Sequence, residues 1–275
     1  MEKLHFSRLI FLKKLIGFIC FRGGNFRDTL LVFKEKILYV ISRISEKFFK
    51  TKPSFIGAHL NRDIFVKNSY GIFYCRKKEP DLHLISDSHE FKTKEVFKKI
   101  ALKSDVIVDL GSNIGKYTIL ASKLSDGKII SIEASKNNFN ILLKNIQLNN
   151  AKNVIPLNFA VGNKNTSAKL FDVGSTAGYS LKNNSKKYKI VNVRKLDSTF
   201  KDLKLKKIDL IKMDVEGAEL DALKGCEDYL KNKKISNIII EIYPDFFPKV
   251  RDFLSKYGYK LKQIEHVNFL AYIGG

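Results

Sequence analysis

The segment from Asp105 to Glu133 constrains the fold more than any other part of the chain. It contains two short apolar runs that are separated by a glycine-containing turn and an apolar-periodic segment, and the second run ends at an acid. This order predicts a strand, a tight turn, a helix and a second strand, which is half of a nucleotide-binding α/β sheet. In chain order the four parts are residues 106–110, the turn Gly111-Ser112-Asn113-Ile114-Gly115, and residues 117–124 and 128–132.

The residues of the turn indicate which ligand it suits. Gly111 and Gly115 lack a Cβ, so a ligand can approach the backbone closely, and Asn113 is placed to cap the following helix. Glu133 lies where an acid at the end of the next strand accepts hydrogen bonds from ribose hydroxyls. Because the pattern is D-x-G-x-N-x-G and not G-x-G-x-x-G, an adenosine ligand without a pyrophosphate, such as S-adenosylmethionine, fits better than NAD. The competing interpretation is a turn of the same shape that holds no ligand.

Composition limits the alternatives only partly. The 275 residues suffice for one large domain with or without an appendage, and 44% of them are hydrophobic. The net charge of +22 favours nucleic acid, an anionic membrane or an acidic substrate as a partner, although abundant lysine alone would also produce it. Three scattered cysteines and five histidines form no disulfide or zinc pattern, so a reduced, cytoplasmic setting is expected.

The first 52 residues are more basic than an average stretch of this chain, with 12 Lys and Arg against 4 acids. Two apolar runs, 9–12 and 15–21, are split by Lys13-Lys14, which argues against a membrane span. The second run is followed by Arg22 without a small-residue cleavage pattern, so a signal peptide is not indicated. We therefore expect a basic helical segment over residues 1–60 and a catalytic domain over 61–275, with its core at 105–275.

An apolar stripe at helical spacing follows within this segment. One interpretation is a helix packed on the catalytic domain or on a second subunit. Another is a basic amphipathic helix that lies on an anionic membrane, which would place the protein on the inner membrane face, and nucleic-acid binding is a third. The stripe residues are Leu30, Phe33, Ile37, Ile41, Ile44 and Phe48.

The rest of the chain alternates between strand and helix patterns. A hairpin is predicted at 64–67 and 72–75, then a polar loop over 77–87 and a helix over 90–102. After Glu133 we predict a helix capped by Ser135, a β-rich insertion over 164–205 and a helix beyond Gly217. The expected fold is α/β, a seven-stranded Rossmann-like sheet with helices on both faces, preceded by the helical segment and the hairpin. Its later strands are predicted at 154–160, 208–213, 235–242, 259–264 and 268–273.

Two motifs taken together resemble the FkbM family of S-adenosylmethionine-dependent methyltransferases. They are residues 108–115, V-D-L-G-S-N-I-G, and residues 212–219, K-M-D-V-E-G-A-E. The resemblance implies a class I methyltransferase fold and O-methylation of a hydroxyl on a sugar, glycan or small metabolite. It places S-adenosylmethionine at Asp109, Gly111, Ser112, Asn113, Gly115, Glu133 and Ala160. Ser112 and Ser135 depart from the usual alanine and proline. Further matches are Glu133-Ala134, Asn145, Asn149, Ala160-Val161-Gly162-Asn163, Leu196-Asp197 and Leu223-Lys224-Gly225.

Methyl transfer to a hydroxyl needs a group that takes the proton. Asp214 is the first candidate for a catalytic base, or for orienting the amino group of the cofactor, and Glu216 is the second. Both also suit a helix N-terminus, which is the structural alternative. Glu219 is expected to pair with a lysine, and Glu241 to pair with Asp214, although no metal site is predicted.

The functional alternatives are a nucleic-acid methyltransferase and a non-catalytic, membrane-associated binding protein. The insertion hydroxyls of Ser175, Thr176, Tyr179 and Ser180 are candidates for acceptor contacts. Neither the acceptor nor the oligomeric state follows from the sequence.

Overall fold

The computed structural model describes residues 22–49, 55–172, 179–181 and 186–274. The chain divides into two compact units, residues 1–91 and 92–275. The predicted hairpin groups with the first of these units, and the domain boundary expected between residues 60 and 61 stays a prediction.

A small antiparallel sheet and one long helix make up the described part of the first unit. The sheet has the order β1-β2-β3, and the hairpin β2–β3 has the predicted bounds. The described elements are β1 (Arg22–Gly23), α1 (Phe26–Phe49), β2 (Ile64–Lys67), β3 (Ile72–Cys75) and α2 (Asp81–Leu84).

The short helix α2 lies where a loop over residues 77–87 was predicted, and that prediction was wrong. Asp81 in its first turn accepts hydrogen bonds from the Arg76 guanidinium at 2.7 and 2.8 Å and from the Arg76 backbone N–H at 2.9 Å. This tertiary ion pair stabilises a single helical turn that local propensity does not predict.

The inner face of α1 carries acids that hold the unit together. Asn25 caps the helix, because its Oδ1 accepts the Asp28 N–H at 2.8 Å. The buried Asp28 carboxylate accepts the Phe65 N–H at 3.2 Å, and buried Glu35 accepts the Gly57 N–H at 3.0 Å. The apolar stripe predicted from the sequence lies on the same helix and is exposed. Among the residues described, none of the helices has the length and apolarity needed to cross a membrane.

The second unit alternates strands and helices around one large sheet. Its strands are β4 (Val106–Leu110), β5 (Lys128–Ile132), β6 (Val154–Leu157), β7 (Ala160–Val161), β8 (Thr166–Asp172), β9 (Tyr179–Ser180), β10 (Tyr188–Arg194), β11 (Ile208–Met213), β12 (Ile235–Glu241), β13 (Tyr259–Glu265) and β14 (Asn268–Ile273). Its helices are α3 (Phe91–Ala101), α4 (Lys116–Leu124), α5 (Lys136–Leu148), α6 (Leu196–Asp202), α7 (Glu219–Gly225), α8 (Glu227–Lys231) and α9 (Phe247–Lys256), and α9 follows a 3₁₀ turn, Pro244–Phe246.

The large sheet has seven strands in the order β13-β14-β12-β11-β4-β5-β6. The five strands from β12 to β6 are parallel, and β14 and β13 are antiparallel, as expected for the last two strands. The predicted seven-stranded Rossmann-like fold is therefore confirmed. Its parallel strands are almost continuously apolar because side chains on both faces are buried.

The third predicted strand is shorter than expected. It was predicted over residues 154–160, but β6 ends at Leu157, and Ala160 begins β7 of a separate sheet, opposite Val193 of β10. Asn158 explains the break, because its side-chain amide donates to the carbonyl oxygens of Glu133 at 2.8 Å and Ala134 at 3.2 Å. These side-chain hydrogen bonds thus take the place of the next backbone–backbone hydrogen bond between β5 and β6.

The predicted β-rich insertion is confirmed as a second sheet of four strands in the order β7-β10-β8-β9. The candidate acceptor contacts Ser175 and Thr176, like the side chain of Tyr179, lie outside the described residues.

The helix expected after Gly217 is divided into α7 and α8 at Cys226. Asp197 accounts for the second start, since its carboxylate accepts the N–H groups of Asp228 at 3.2 Å and Tyr229 at 3.3 Å. These are donors of the first turn of α8, which a nearby carboxylate stabilises. Cys226 itself is a free cysteine buried in the hydrophobic core.

Candidate active site

The glycine turn lies at the carboxyl edge of β4, where the parallel strands of an α/β sheet bind ligands. Gly111 and Gly115 have φ values of +74° and +94°, which L-residues with a Cβ rarely adopt. A Cβ on Gly111 would lie 1.8 Å from the Asp214 carbonyl oxygen, and one on Gly115 would lie 2.7 Å from Leu142 Cδ1. The turn therefore requires both glycines, since any larger residue would push it away from its neighbours.

Asn113 does not have the capping role predicted for it. The N-cap of α4 is Gly115, and no side chain caps this helix. Asn113 has a φ of +50°, which its short polar side chain tolerates better than most residues do. Its Oδ1 is buried and has no hydrogen-bond partner in the described part of the chain. Buried acceptors are rarely left unpaired, so this oxygen is placed to receive a donor from a ligand.

Glu133 turns its carboxylate toward this turn. It is 6% exposed, and its Oε2 accepts the Asn113 N–H at 2.8 Å, while Oε1 accepts the Ser135 N–H at 2.8 Å. Serine at position 135 matters here, because proline would have no N–H to donate. Each carboxylate oxygen has two lone pairs and can accept more than one hydrogen bond.

Beneath the turn lies a buried network of hydroxyl groups around Asp109. Asp109 Oδ2 accepts the Thr118 hydroxyl at 2.6 Å, and the Ser131 hydroxyl lies 2.7 Å from Thr118 Oγ1 and 2.8 Å from Ser112 Oγ. Burial raises the pKa of Asp109 to about 6, against the opposing effect of the Thr118 hydrogen bond. Asp109 thus supports the turn from below. No role was predicted for Thr118 and Ser131 from the sequence, although the parallel register of β4 and β5 places Ser131 beside Asp109.

A pair of carboxyl groups lies at the same edge of the sheet. Asp214 follows β11 and Glu241 ends β12, and the parallel register, with Met213 opposite Ile240, places the two acids side by side. Burial, with the neighbouring Asp214 charge second, raises the pKa of Glu241 to about 9. Glu241 therefore holds its proton at neutral pH.

Lys212 belongs to the second sequence motif, but no role was predicted for it from the sequence. Its side chain is 1% exposed, its Nζ lies 3.5 Å from Asp214 Oδ2, and it lies over the Tyr117 ring at 5.3 Å. A lysine on a strand of a parallel sheet is normally excluded from the interior unless charges compensate it. Here it places a positive charge beside the carboxyl pair.

The other two acids of the motif, Glu216 and Glu219, lie in different surroundings. Glu216 has a φ of +51°, and burial, followed by the charge of Asp214, raises its pKa to about 8. Ser180 of β9 donates its hydroxyl to the Glu216 carbonyl oxygen at 2.9 Å, so the insertion contacts the acidic turn. Glu219 accepts the N–H groups of Gly217 at 3.0 Å and Val215 at 3.3 Å, and the predicted pairing with a lysine was wrong.

Two further motif elements have structural roles around the site. The Asn145 side-chain amide donates to the Ile114 carbonyl oxygen at 2.7 Å and so holds the glycine turn against α5. A Cβ on Gly225 would lie 2.2 Å from the Gly162 carbonyl oxygen, which explains the glycine at position 225, and a Cβ on Gly162 would lie 2.7 Å from Val193 Cγ1. Within the described residues, no group of three or more His, Cys, Asp or Glu side chains is arranged to hold a metal ion.

The structure brings most of the predicted residues to one edge of the sheet. Asp109, Gly111, Ser112, Asn113, Gly115 and Glu133 form one turn with its acid, and Asp214 abuts Gly111. Ala160 is buried in β7 of the smaller sheet.

Comparison with known proteins agrees with this geometry, since the profile of the methyltransferase FkbM domain matches residues 109–261. The chain belongs to the FkbM methyltransferase family. The resemblance noted from the two motifs is thereby confirmed.

Two curated relatives and one solved structure illustrate the similarity. "Methyltransferase 1" of Beauveria bassiana is 27% identical, over 50% of this chain and 64% of the relative. "Hexuronic acid methyltransferase AglP" of Haloferax volcanii is 26% identical, over 54% of this chain and 60% of the relative. The chain thus spans somewhat less than two thirds of the length of these relatives. A precorrin-6y C5,15-methyltransferase from Geobacter metallireducens has a TM-score of 0.41 and 14% identity, with 64% of this chain and 87% of that structure covered.

Proposed function

We propose that this member of the FkbM family transfers the methyl group of S-adenosylmethionine to a hydroxyl group of a sugar or glycan. The observation that carries the proposal is the Asp214–Glu241 carboxyl pair beside the glycine turn. Methyl transfer to a hydroxyl needs a proton acceptor next to the cofactor, and this pair is placed to be one.

The residues of the turn suit the cofactor. Gly111 and Gly115 allow the positive φ values that give the turn its shape, and the unpaired Oδ1 of Asn113 offers a hydrogen-bond acceptor where a ligand would lie. We assign the ribose hydroxyls to the carboxylate of Glu133, which faces the glycine turn, and the adenine to the vicinity of Ala160. Asp109 and Ser112 support the turn through the buried hydroxyl network. When bound, S-adenosylmethionine supplies a methyl group on a positively charged sulfur.

The division of roles between the acids follows from their protonation. Glu241 has a raised pKa and holds a proton, and we assign to Asp214 beside it the role of acceptor for the hydroxyl proton of the substrate. Lys212 stabilises the negative charge on Asp214 from 3.5 Å. Glu216, whose raised pKa also keeps it largely protonated near neutral pH, is the second candidate.

The acceptor class is supported by the relatives rather than by the geometry. The Haloferax volcanii relative carries the name of a hexuronic acid methyltransferase, which makes a carboxylate-bearing sugar the first acceptor to test. The net charge of +22 is compatible with such an anionic acceptor.

The test uses the full chain with methyl-labelled S-adenosylmethionine and a panel of acceptors. The panel contains free hexuronic acids, neutral hexoses, lipid-linked glycans carrying either sugar, and RNA. Transfer of the label to a sugar hydroxyl, located by mass spectrometry as an O-methyl group, is the expected result. Label found only on RNA, or on no acceptor by a chain that binds the cofactor, would refute the proposed acceptor class.

A further inference from the structure

The long helix α1 exposes an unbroken apolar stripe. Eight large apolar side chains, three or four residues apart except for the adjacent Val40 and Ile41, are each between 45% and 77% exposed. They run along the full helix of 24 residues, which is about 36 Å long. The stripe consists of Phe26, Leu30, Phe33, Ile37, Val40, Ile41, Ile44 and Phe48.

The polarity of this helix is the reverse of what a helix on a globular surface normally shows. Its buried positions include the acids Asp28 and Glu35, which accept backbone N–H groups of the same unit, and Val32. A surface helix usually buries its apolar stripe and exposes its charges. A contiguous exposed apolar surface of this length marks an interaction site.

The exposed polar residues that border the stripe are cationic. Arg27 and Lys34 lie on one side of it and Arg43 on the other, and all three are exposed. Among the acids of the helix, Asp28 and Glu35 are buried, and Glu46 offsets only Arg43, with which it forms an ion pair at 2.7 Å. Arg27 and Lys34 therefore keep their positive charge at the surface. The surface therefore combines an apolar centre with a cationic border.

We propose that this stripe binds an anionic membrane surface, with α1 lying in the plane of the interface. Apolar side chains that enter the boundary between headgroups and acyl chains, with cations beside them at the level of anionic headgroups, form the standard interfacial arrangement. The proposal does not depend on the reaction that the second unit catalyses.

Charge also argues against a second copy of this chain as the occupant. A twofold contact would place the same stripe against itself and bring the two cationic borders together. Each chain carries a net charge of +22, so the two copies would also repel each other at longer range. An anionic lipid surface has the complementary charge and a copy of the chain does not.

The absence of tryptophan from the chain allows a direct test, because one introduced tryptophan is then the only one. Phe33→Trp places it in the stripe, and Tyr39→Trp places it elsewhere on the same helix, where Tyr39 packs beside His83. Both full-length variants are mixed with vesicles of phosphatidylcholine containing about 30% phosphatidylglycerol and brominated acyl chains. Quenching and a blue shift for Phe33→Trp, without quenching for Tyr39→Trp, is the expected result.

A second pair of variants measures the contribution of the stripe to binding. Phe33→Ser with Ile44→Ser should lower vesicle binding about tenfold or more, because two apolar anchors are lost. Leu102→Ser with Ile190→Ser removes two exposed apolar residues of the other unit and should leave binding unchanged. Circular dichroism confirms that both variants are folded.

Three results would overturn the proposal. The first is that the protein binds pure phosphatidylcholine vesicles in low salt as tightly as vesicles that contain phosphatidylglycerol. The second is that the variant with Phe33→Ser and Ile44→Ser binds vesicles with wild-type affinity. The third is a dimer in sedimentation equilibrium that the stripe substitutions dissociate, since the stripe would then be covered by a second copy.

Discussion

The carbonyl oxygen of Asp214 lies 1.8 Å from the point where a Cβ on Gly111 would stand. The turn after β4 and the end of β11 therefore pass each other with no space for a side chain between them. The backbone of the proposed base and the backbone of the proposed cofactor turn are in direct contact, so a change at one displaces the other.

Substitution of Gly111 by alanine should consequently abolish binding of S-adenosylmethionine. The new methyl group meets a backbone atom that cannot rotate away, and the positive φ adds strain of about 1–2 kcal/mol. Calorimetric titration with the cofactor measures the binding, and urea unfolding measures the stability.

Gly217→Ala is the matched control for this experiment. Gly217 has a φ of +92°, but a Cβ there would meet nothing within 4 Å. Gly217→Ala therefore introduces backbone strain without a clash. We expect it to lose less stability than Gly111→Ala and to bind the cofactor. Equal losses in the two variants would show that strain, and not the contact with Asp214, makes Gly111 necessary.

Glu133→Gln should weaken the binding of S-adenosylmethionine while the fold persists. The substitution removes the charge that strengthens each hydrogen bond, and a hydrogen bond to a charged group contributes about 1.5–3 kcal/mol. An affinity lower by one to two orders of magnitude is expected from calorimetry if the carboxylate holds both ribose hydroxyls.

Asp197→Asn controls for the loss of bonds to backbone N–H groups. Asp197 is also a buried acid that accepts two backbone N–H groups, those of Asp228 and Tyr229, at the start of α8. The Asp197→Asn substitution should lower the midpoint of thermal unfolding without changing the affinity for the cofactor. Unchanged affinity in Glu133→Gln would remove Glu133 from the cofactor site.

The large sheet could be predicted from the sequence because the apolar patterns that indicate its strands are local. The bounds of β11 and β14 match the prediction at both ends, since each is an apolar run flanked by polar residues. The glycines and Glu133 were likewise found from spacing alone, as the turn geometry demands those residue types.

The features that were missed depend on specific side-chain contacts and not on a repeating sequence pattern. The helix α2 requires the Arg76–Asp81 pair, the end of β6 requires Asn158 to reach Glu133, and the break at Cys226 requires Asp197. None of these pairings has a periodic signature, so only the fold reveals them. Lys212 was overlooked because burial of a lysine beside an acid pair cannot be read from a strand pattern.

The stability of the protein should fall as the pH rises from about 5 to about 9. The pKa values of Glu216 and Glu241 are raised to about 8 and about 9, so the folded state holds protons that the unfolded state has released. Their stabilising effect is complete below the ordinary pKa of glutamate and is lost as the pH rises through the raised values. Urea unfolding at a series of pH values measures this slope.

Glu241→Gln should make that slope shallower, because the variant carries no proton to lose at this position. Asp209→Asn is the control, since Asp209 lies on β11 and its carboxylate accepts the N–H groups of Asp105 and Val106. It should leave the slope between pH 5 and pH 9 as in the wild type. A wild-type protein whose stability rises over this range would contradict the protonated state of the pair.

Asp214→Asn should reduce the rate of methyl transfer by about 10²–10⁴, the usual contribution of a general base, while S-adenosylmethionine still binds. The amide cannot take the hydroxyl proton, but it has nearly the shape of the carboxylate and leaves the Gly111 contact in place, because that contact is made by the backbone oxygen. Asp209→Asn on the same strand, which changes an acid outside the carboxyl pair, should transfer methyl groups at the wild-type rate. Single-turnover measurements with preloaded cofactor separate the chemical step from binding. If Glu216→Gln lost the activity and Asp214→Asn kept it, the role of the base would belong to Glu216. If both retained it, the acceptor would give up its proton to solvent, and the carboxyl pair would serve only to hold the end of β11 against β12.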